Sequence, residues 1–87
     1  MTNKEYISKL ADFLISTNST MNVKALADLL NWNNYNTTYG TEYKGERGTY
    51  TLIHHTYYWL KDQGLQKEAD NVAFAFKKPD GDYAYEK

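Results

Sequence analysis

The residues best equipped for chemistry cluster in the middle of the chain. His54 and His55 stand side by side, Glu42, Tyr43 and Lys44 repeat the acid-spacer-lysine pattern of many nucleases, and Tyr57 and Tyr58 carry phenolic oxygens that could serve as nucleophiles. None of these sets completes an active site. Adjacent residues point about 100° apart on a helix, so the two histidines cannot hold one metal ion without ligands from elsewhere. No paired aspartates precede the Glu42 triplet, and no arginine cluster stands ready to activate a tyrosine or stabilise a phosphoryl transition state. Gly40, Gly45 and Gly48 lack the lysine followed by Ser or Thr that a phosphate loop needs. Cysteine is absent, which excludes thiolate zinc sites, catalytic thiols and disulfides. These patterns predict a binding protein, not an enzyme, with no metal and no cofactor.

At 87 residues the chain has room for one core and one domain. Hydrophobic residues at 41% and charged residues at 24% match ordinary folded proteins and not disordered ones. The start of the chain lacks a basic segment followed by an apolar run, and no window is apolar for long enough to span a bilayer. A soluble, cytoplasmic protein without a membrane partner is expected. The net charge of -1 matters more, because DNA-binding domains usually carry a basic excess.

Apolar residues at Tyr6, Ile7, Leu10, Phe13 and Leu14 predict a first helix from Glu5 to about Thr17, capped by Asn3. Asn22 predicts the cap of a second helix through Val23, Leu26, Ala27, Leu29 and Leu30, packed on the first. Residues 31–48 are rich in Asn, Gly, Thr and Tyr, a composition suited to tight turns or a short strand. Thr49 is the expected cap of a third helix, buried along Leu52, Ile53, Thr56, Trp59 and Leu60 and ended by Gly64. Residues 65–76 fit helical spacing better than the alternating Val72, Phe74 and Phe76 fit a strand. Pro79, Asp80 and Gly81 predict a turn, and Tyr83 to Tyr85 a terminal strand paired either with Val72 to Phe76 or with Thr37 to Tyr43. The fold expected is mainly α with a small β element, a helix-turn-helix or winged-helix-like domain of three to four helices.

Leu30, Asn31, Asn34, Tyr35, Thr37, Gly40 and Tyr43 carry a family resemblance. Their order and spacing are similar to the DNA-binding recombinase segment of large serine recombinases, over about Ala25 to Leu60. There an end-of-helix Leu-Asn leads into a glycine, an aromatic or aliphatic residue, a threonine, a glycine and Trp or Tyr. Asn34 stands at the glycine position, and asparagine tolerates positive φ. Asn31 would end the helix by bonding its last free carbonyls or by taking a left-handed conformation, Tyr35 and Tyr43 would anchor the connection, and Thr37 and Gly40 would shape its turn. The resemblance implies a DNA-binding element, in a small regulator or accessory factor of a phage or mobile element.

With the third helix buried along its inner stripe, Tyr50, Thr51, His54, Tyr58 and Lys61 face outward and His55 lies at the boundary. In double-stranded DNA, Thr51, His54 and Tyr58 would reach base edges or phosphates, and Lys44, Arg47 and Lys61 would meet the backbone. Lys77 and Lys78, beside the Pro79 turn, would extend the footprint as a wing. So small a basic surface suits a two-fold homodimer. A near-neutral face of Tyr, Trp and His also suits a host protein as partner, as for a phage-encoded inhibitor.

Overall fold

In the computed structural model the described residues are 2–37, 40–43 and 47–85, with Arg47 described by its backbone alone. Four helices and two short strands follow in order: α1 (Asn3–Ser16), β1 (Met21–Asn22), α2 (Val23–Trp32), α3 (Arg47–Asp62), α4 (Gln66–Ala75) and β2 (Phe76–Lys77). The architecture is mainly helical with a small sheet, as the sequence predicts.

Each start and stop has a chemical cause. Thr2, not Asn3, caps α1: its hydroxyl accepts from the Glu5 N–H at 3.1 Å, and the Glu5 carboxylate accepts from the Thr2 N–H at 3.2 Å. This reciprocal box satisfies two helix-end donors where one cap would satisfy one, and it leaves the Asn3 amide available for other work. Asn22 caps α2 as expected, accepting from Lys24 N–H at 2.7 Å. Helix α4 replaces the strand alternative for residues 65–76, and Leu65 at its start makes no side-chain cap.

Three helices end in the same left-handed stop. After α1, α2 and α3, the residues Asn18, Asn34 and Gly64 take φ of 56°, 63° and 78°. The residue after each donates back to the last turn, Ser19 to Leu14, Tyr35 to Leu30 and Leu65 to Leu60, at 2.8 to 3.0 Å. This arrangement satisfies carbonyls the helix cannot, and only glycine or asparagine adopts its φ cheaply. Asn34 therefore fills the glycine role anticipated for it.

The core is formed by Ile7, Ala11 and Leu14 of α1, Val23, Leu26 and Leu30 of α2, Ile53, Tyr57 and Leu60 of α3, and Ala69, Val72 and Ala73 of α4. The expected packing of α2 on α1 is displaced. Helix α4 takes the α1 face instead, because Ala69 and Ala73 let two backbones approach, and Asn71 donates to Asp12 at 3.0 Å across that seam. Helix α2 leans on α3 and β1. Phe13, expected in the stripe, is exposed.

The sheet is parallel, pairing Met21 with Phe76 and Asn22 with Lys77. Strand β1 was not expected from the sequence, since two residues leave no periodicity to detect. Beyond β2, Lys77 bridges Tyr83 in antiparallel sense and Ala84 N–H donates to Phe76 carbonyl at 2.9 Å. The terminal segment therefore forms a single bridge in place of the expected strand, and it meets Phe76 and Lys77, because Val72 to Ala75 of the expected partner are helical.

Thr49 does not cap α3. The helix starts at Arg47, which turns Thr49 into the core with no exposure, and its Oγ1 has no hydrogen-bond partner among the described residues. A buried hydroxyl without a partner opposes folding. Thr49→Val is therefore expected to leave stability unchanged or raise it by up to about 1 kcal/mol, read from urea unfolding. A loss above about 1 kcal/mol would mean that the hydroxyl is satisfied.

Candidate nucleic-acid interface

Helix α3 has three sides with different surroundings. Thr51, His55, Tyr58 and Lys61 are exposed, and Tyr58 retains 52% of its surface. They climb the outward side from the first turns to the last at the three- and four-residue spacing that aligns side chains on one face. His55, placed at the boundary by the sequence, belongs to this row.

The second side departs from expectation. Tyr50 and His54 are half-buried, because the C-terminal segment lies along that flank. Tyr85, only 6% exposed, stacks on Tyr57 with ring centroids 4.1 Å apart and packs on His54 at 4.7 Å and on Tyr58 at 6.3 Å. The pairing of Tyr83 and Ala84 on β2 delivers Tyr85 to that position. Tyr50, His54, Lys78 and Ala84 then line a cleft of about 400 Å³. The two lysines of the wing are thereby separated: Lys78 opens into this cleft, and Lys77 holds its ammonium 5.2 Å from the centre of the Tyr83 ring.

Burial pushes the Tyr85 phenol well above its ordinary range, and a hydrogen bond with Tyr58 and the neighbouring phenols of Tyr58 and Tyr57 push it the same way. The folded state therefore favours the neutral phenol. An unfolded tyrosine ionises near pH 10, so the contribution is fully present below about pH 10 and is lost as pH rises beyond it. Tyr43 shifts in the same direction through burial, partly offset by its bond to Asn3. The urea midpoint is expected to fall between pH 9 and pH 11, and to fall less in Tyr85→Phe. Equal pH slopes in the two proteins would contradict this account of Tyr85.

On the third side Leu52 and Trp59 are half-buried against the connection that precedes α3. The described residues of that connection are tied to α1 and α2. Asn31 ends α2 neither by bonding its last carbonyls nor by a left-handed turn; its side chain instead pairs with the Tyr43 backbone, Nδ2–H donating to the carbonyl at 2.9 Å and Oδ1 accepting from the N–H at 2.7 Å. The stop at Asn34 already satisfies the helix end, which frees the Asn31 amide to imitate a strand neighbour. Asn3 donates to the Asn36 carbonyl at 2.8 Å and to the Tyr43 hydroxyl at 2.9 Å. Tyr35 stacks on Tyr6 at 4.7 Å, and Thr37 N–H donates to the Thr41 carbonyl at 2.8 Å across a turn closed by Gly40 at φ 77°. Tyr35, Tyr43, Thr37 and Gly40 thus serve the anchoring and turning roles anticipated for them.

Two adjoining hollows of about 430 and 340 Å³ share Tyr43, Leu52 and His55. One runs toward Thr2, Lys4 and Glu5 at the start of α1, the other toward Thr41, Gly48 and Thr51. His55 stands where they meet. The Thr2 backbone and hydroxyl hold the Glu5 carboxyl below its ordinary range, so it enters this groove as an anion. The groove was invisible in the sequence, because its α1 wall lies some fifty residues from its α3 wall. Lys4, Tyr43 and Trp59 are its unforeseen members.

Lys44 lies outside the described residues, and Arg47 is placed only as the first residue of α3. No group of three or more His, Asp or Glu among the described residues could hold a metal ion, and no helix among them is long and apolar enough to cross a membrane. Comparison with protein-family models, with curated proteins and with solved structures finds no match.

Proposed function

We propose that the protein binds double-stranded DNA through the outward row of α3, as a helix-turn-helix-like regulator or accessory factor. The observation that carries this reading is the row itself: Thr51, His55 and Tyr58, all exposed and all able to hydrogen-bond, on a 16-residue helix with Lys61 in its last turn. A helix of that width fits a major groove, and hydroxyl and imidazole groups reach both base edges and phosphates. Helix α2 and the tied connection would fix the angle at which α3 is presented. That connection is much longer than the turn of about three to four residues in the usual motif, so the bonds of Asn31 and Asn3 to Asn36 and Tyr43 would position its described residues in place of a tight turn. Lys78, in the cleft beside α3, would be the wing's contact while Lys77 stays on the Tyr83 ring, and Tyr50 and His54 would act as supports under the C-terminal segment more than as direct contacts.

Fluorescence anisotropy with labelled duplex DNA tests this reading. Joint replacement of Thr51 and Tyr58 by alanine is expected to weaken binding at least about tenfold, while Lys67→Ala, on α4, leaves it within about twofold. Equal binding by the two variants would place the contact elsewhere.

A protein partner is the second reading, favoured by the groove of Tyr43, Leu52 and Trp59 and by the net charge of -1. Aromatic, weakly charged hollows of this sort typify the centre of protein interfaces. Capture of one host protein, lost on Trp59→Ala and indifferent to Thr51 and Tyr58, would support it.

A further inference from the structure

Both histidines of the chain lie on α3, the helix assigned to DNA contact, in a protein with no basic excess. We infer that DNA binding is coupled to proton uptake at His55, so that the protein grips the duplex more tightly as pH falls below neutral; this rests on the DNA reading above. Histidine is the side chain whose charge changes between about pH 5 and 8. With the formal charge at -1 when both are neutral, one added proton cancels it, and two reverse it.

The surroundings single out His55. It is exposed in the outward row, where an imidazolium would meet a phosphate without rearrangement. Among the described residues, the charged and titratable groups lining the same hollow are Lys4 and Glu5 of α1 and Tyr43 of the connection. His54 is poorly placed for the same task. It is half-buried against the ring of Tyr85, off the outward row. Proton uptake on binding requires that the complex hold the proton more tightly than the free protein, and a phosphate beside His55 supplies that difference.

The test measures affinity for one duplex at pH 7.5 and pH 5.5 over a range of salt. The wild type is expected to bind about tenfold tighter at pH 5.5, with a slope of log affinity against log salt steeper by about one, the signature of one more neutralised phosphate. His55→Gln should lose most of the pH effect and His54→Gln should keep it. His55→Arg should bind at pH 7.5 about as tightly as the wild type does at pH 5.5. Equal wild-type affinity and slope at both pH values would overturn the coupling and leave DNA binding standing, as would a pH effect undiminished in His55→Gln. Binding at neither pH would overturn the DNA reading itself, and the coupling with it.

Discussion

Phe76→Ala is expected to cost about 3–5 kcal/mol of folding stability, the range for emptying a fully buried aromatic site. Phe76 is the largest side chain with no exposure among the described residues, and it sits where β2 leaves α4. Its backbone pairs with Met21 on one side and accepts from Ala84 N–H on the other, while its side chain is fully buried in the core. A domain of this length is stable by only about 4–13 kcal/mol, so the loss approaches the whole in the lower part of that range. Urea denaturation followed by circular dichroism measures it. The tyrosine signal in the near ultraviolet should weaken together with stability, because Tyr85 reaches α3 through the segment that Phe76 supports. A loss below about 1.5 kcal/mol would mean that neighbouring side chains close the space and that Phe76 does not organise the sheet.

Asn31→Ala is the second large effect, expected at about 2–3 kcal/mol. The substitution removes a donor and an acceptor together and strands the N–H and carbonyl of Tyr43, a residue only 8% exposed. Stranded backbone groups near a core cost about 1–3 kcal/mol each, and water recovers part of that at a half-buried site. Asn31→Asp preserves the acceptor but sets a carboxylate against the Tyr43 carbonyl, so it should be no better than alanine. The same denaturation measures both, and a loss below about 0.5 kcal/mol for alanine would mean that the connection is held by Asn3 and Tyr35 alone.

These two residues also show what the sequence could and could not reveal. Phe76 was legible as apolar, but its assignment to β2 depends on Met21 and Asn22, a two-residue strand too short for any pattern. Asn31 and Tyr43 were legible as a spaced pair, yet the direction of the Asn31 amide was not, because two partners competed for it and the left-handed turn at Asn34 decided the outcome. Helix existence and left-handed stops are local, set by spacing and by glycine or asparagine, and Asn34 and Gly64 behave as their types predict. Caps are less secure when candidates adjoin: Thr2 displaced Asn3 by closing a box with Glu5, and Thr49 was drawn inward by a helix that starts at Arg47. The outward row of α3 was mostly readable from its inner stripe. The loss of Tyr50 and His54 to the C-terminal segment was not, since periodicity on one helix does not show what another segment lays upon it.

The salt dependence of duplex binding tests the central assignment most directly. The wild-type protein at pH 6.5 is expected to bind duplex DNA at low salt, with affinity falling on a log-log slope of about -2 to -4, the release expected for a few phosphate contacts from α3 and the wing. Absence of binding at low salt, or an affinity indifferent to salt, would contradict the assignment of the α3 face to DNA.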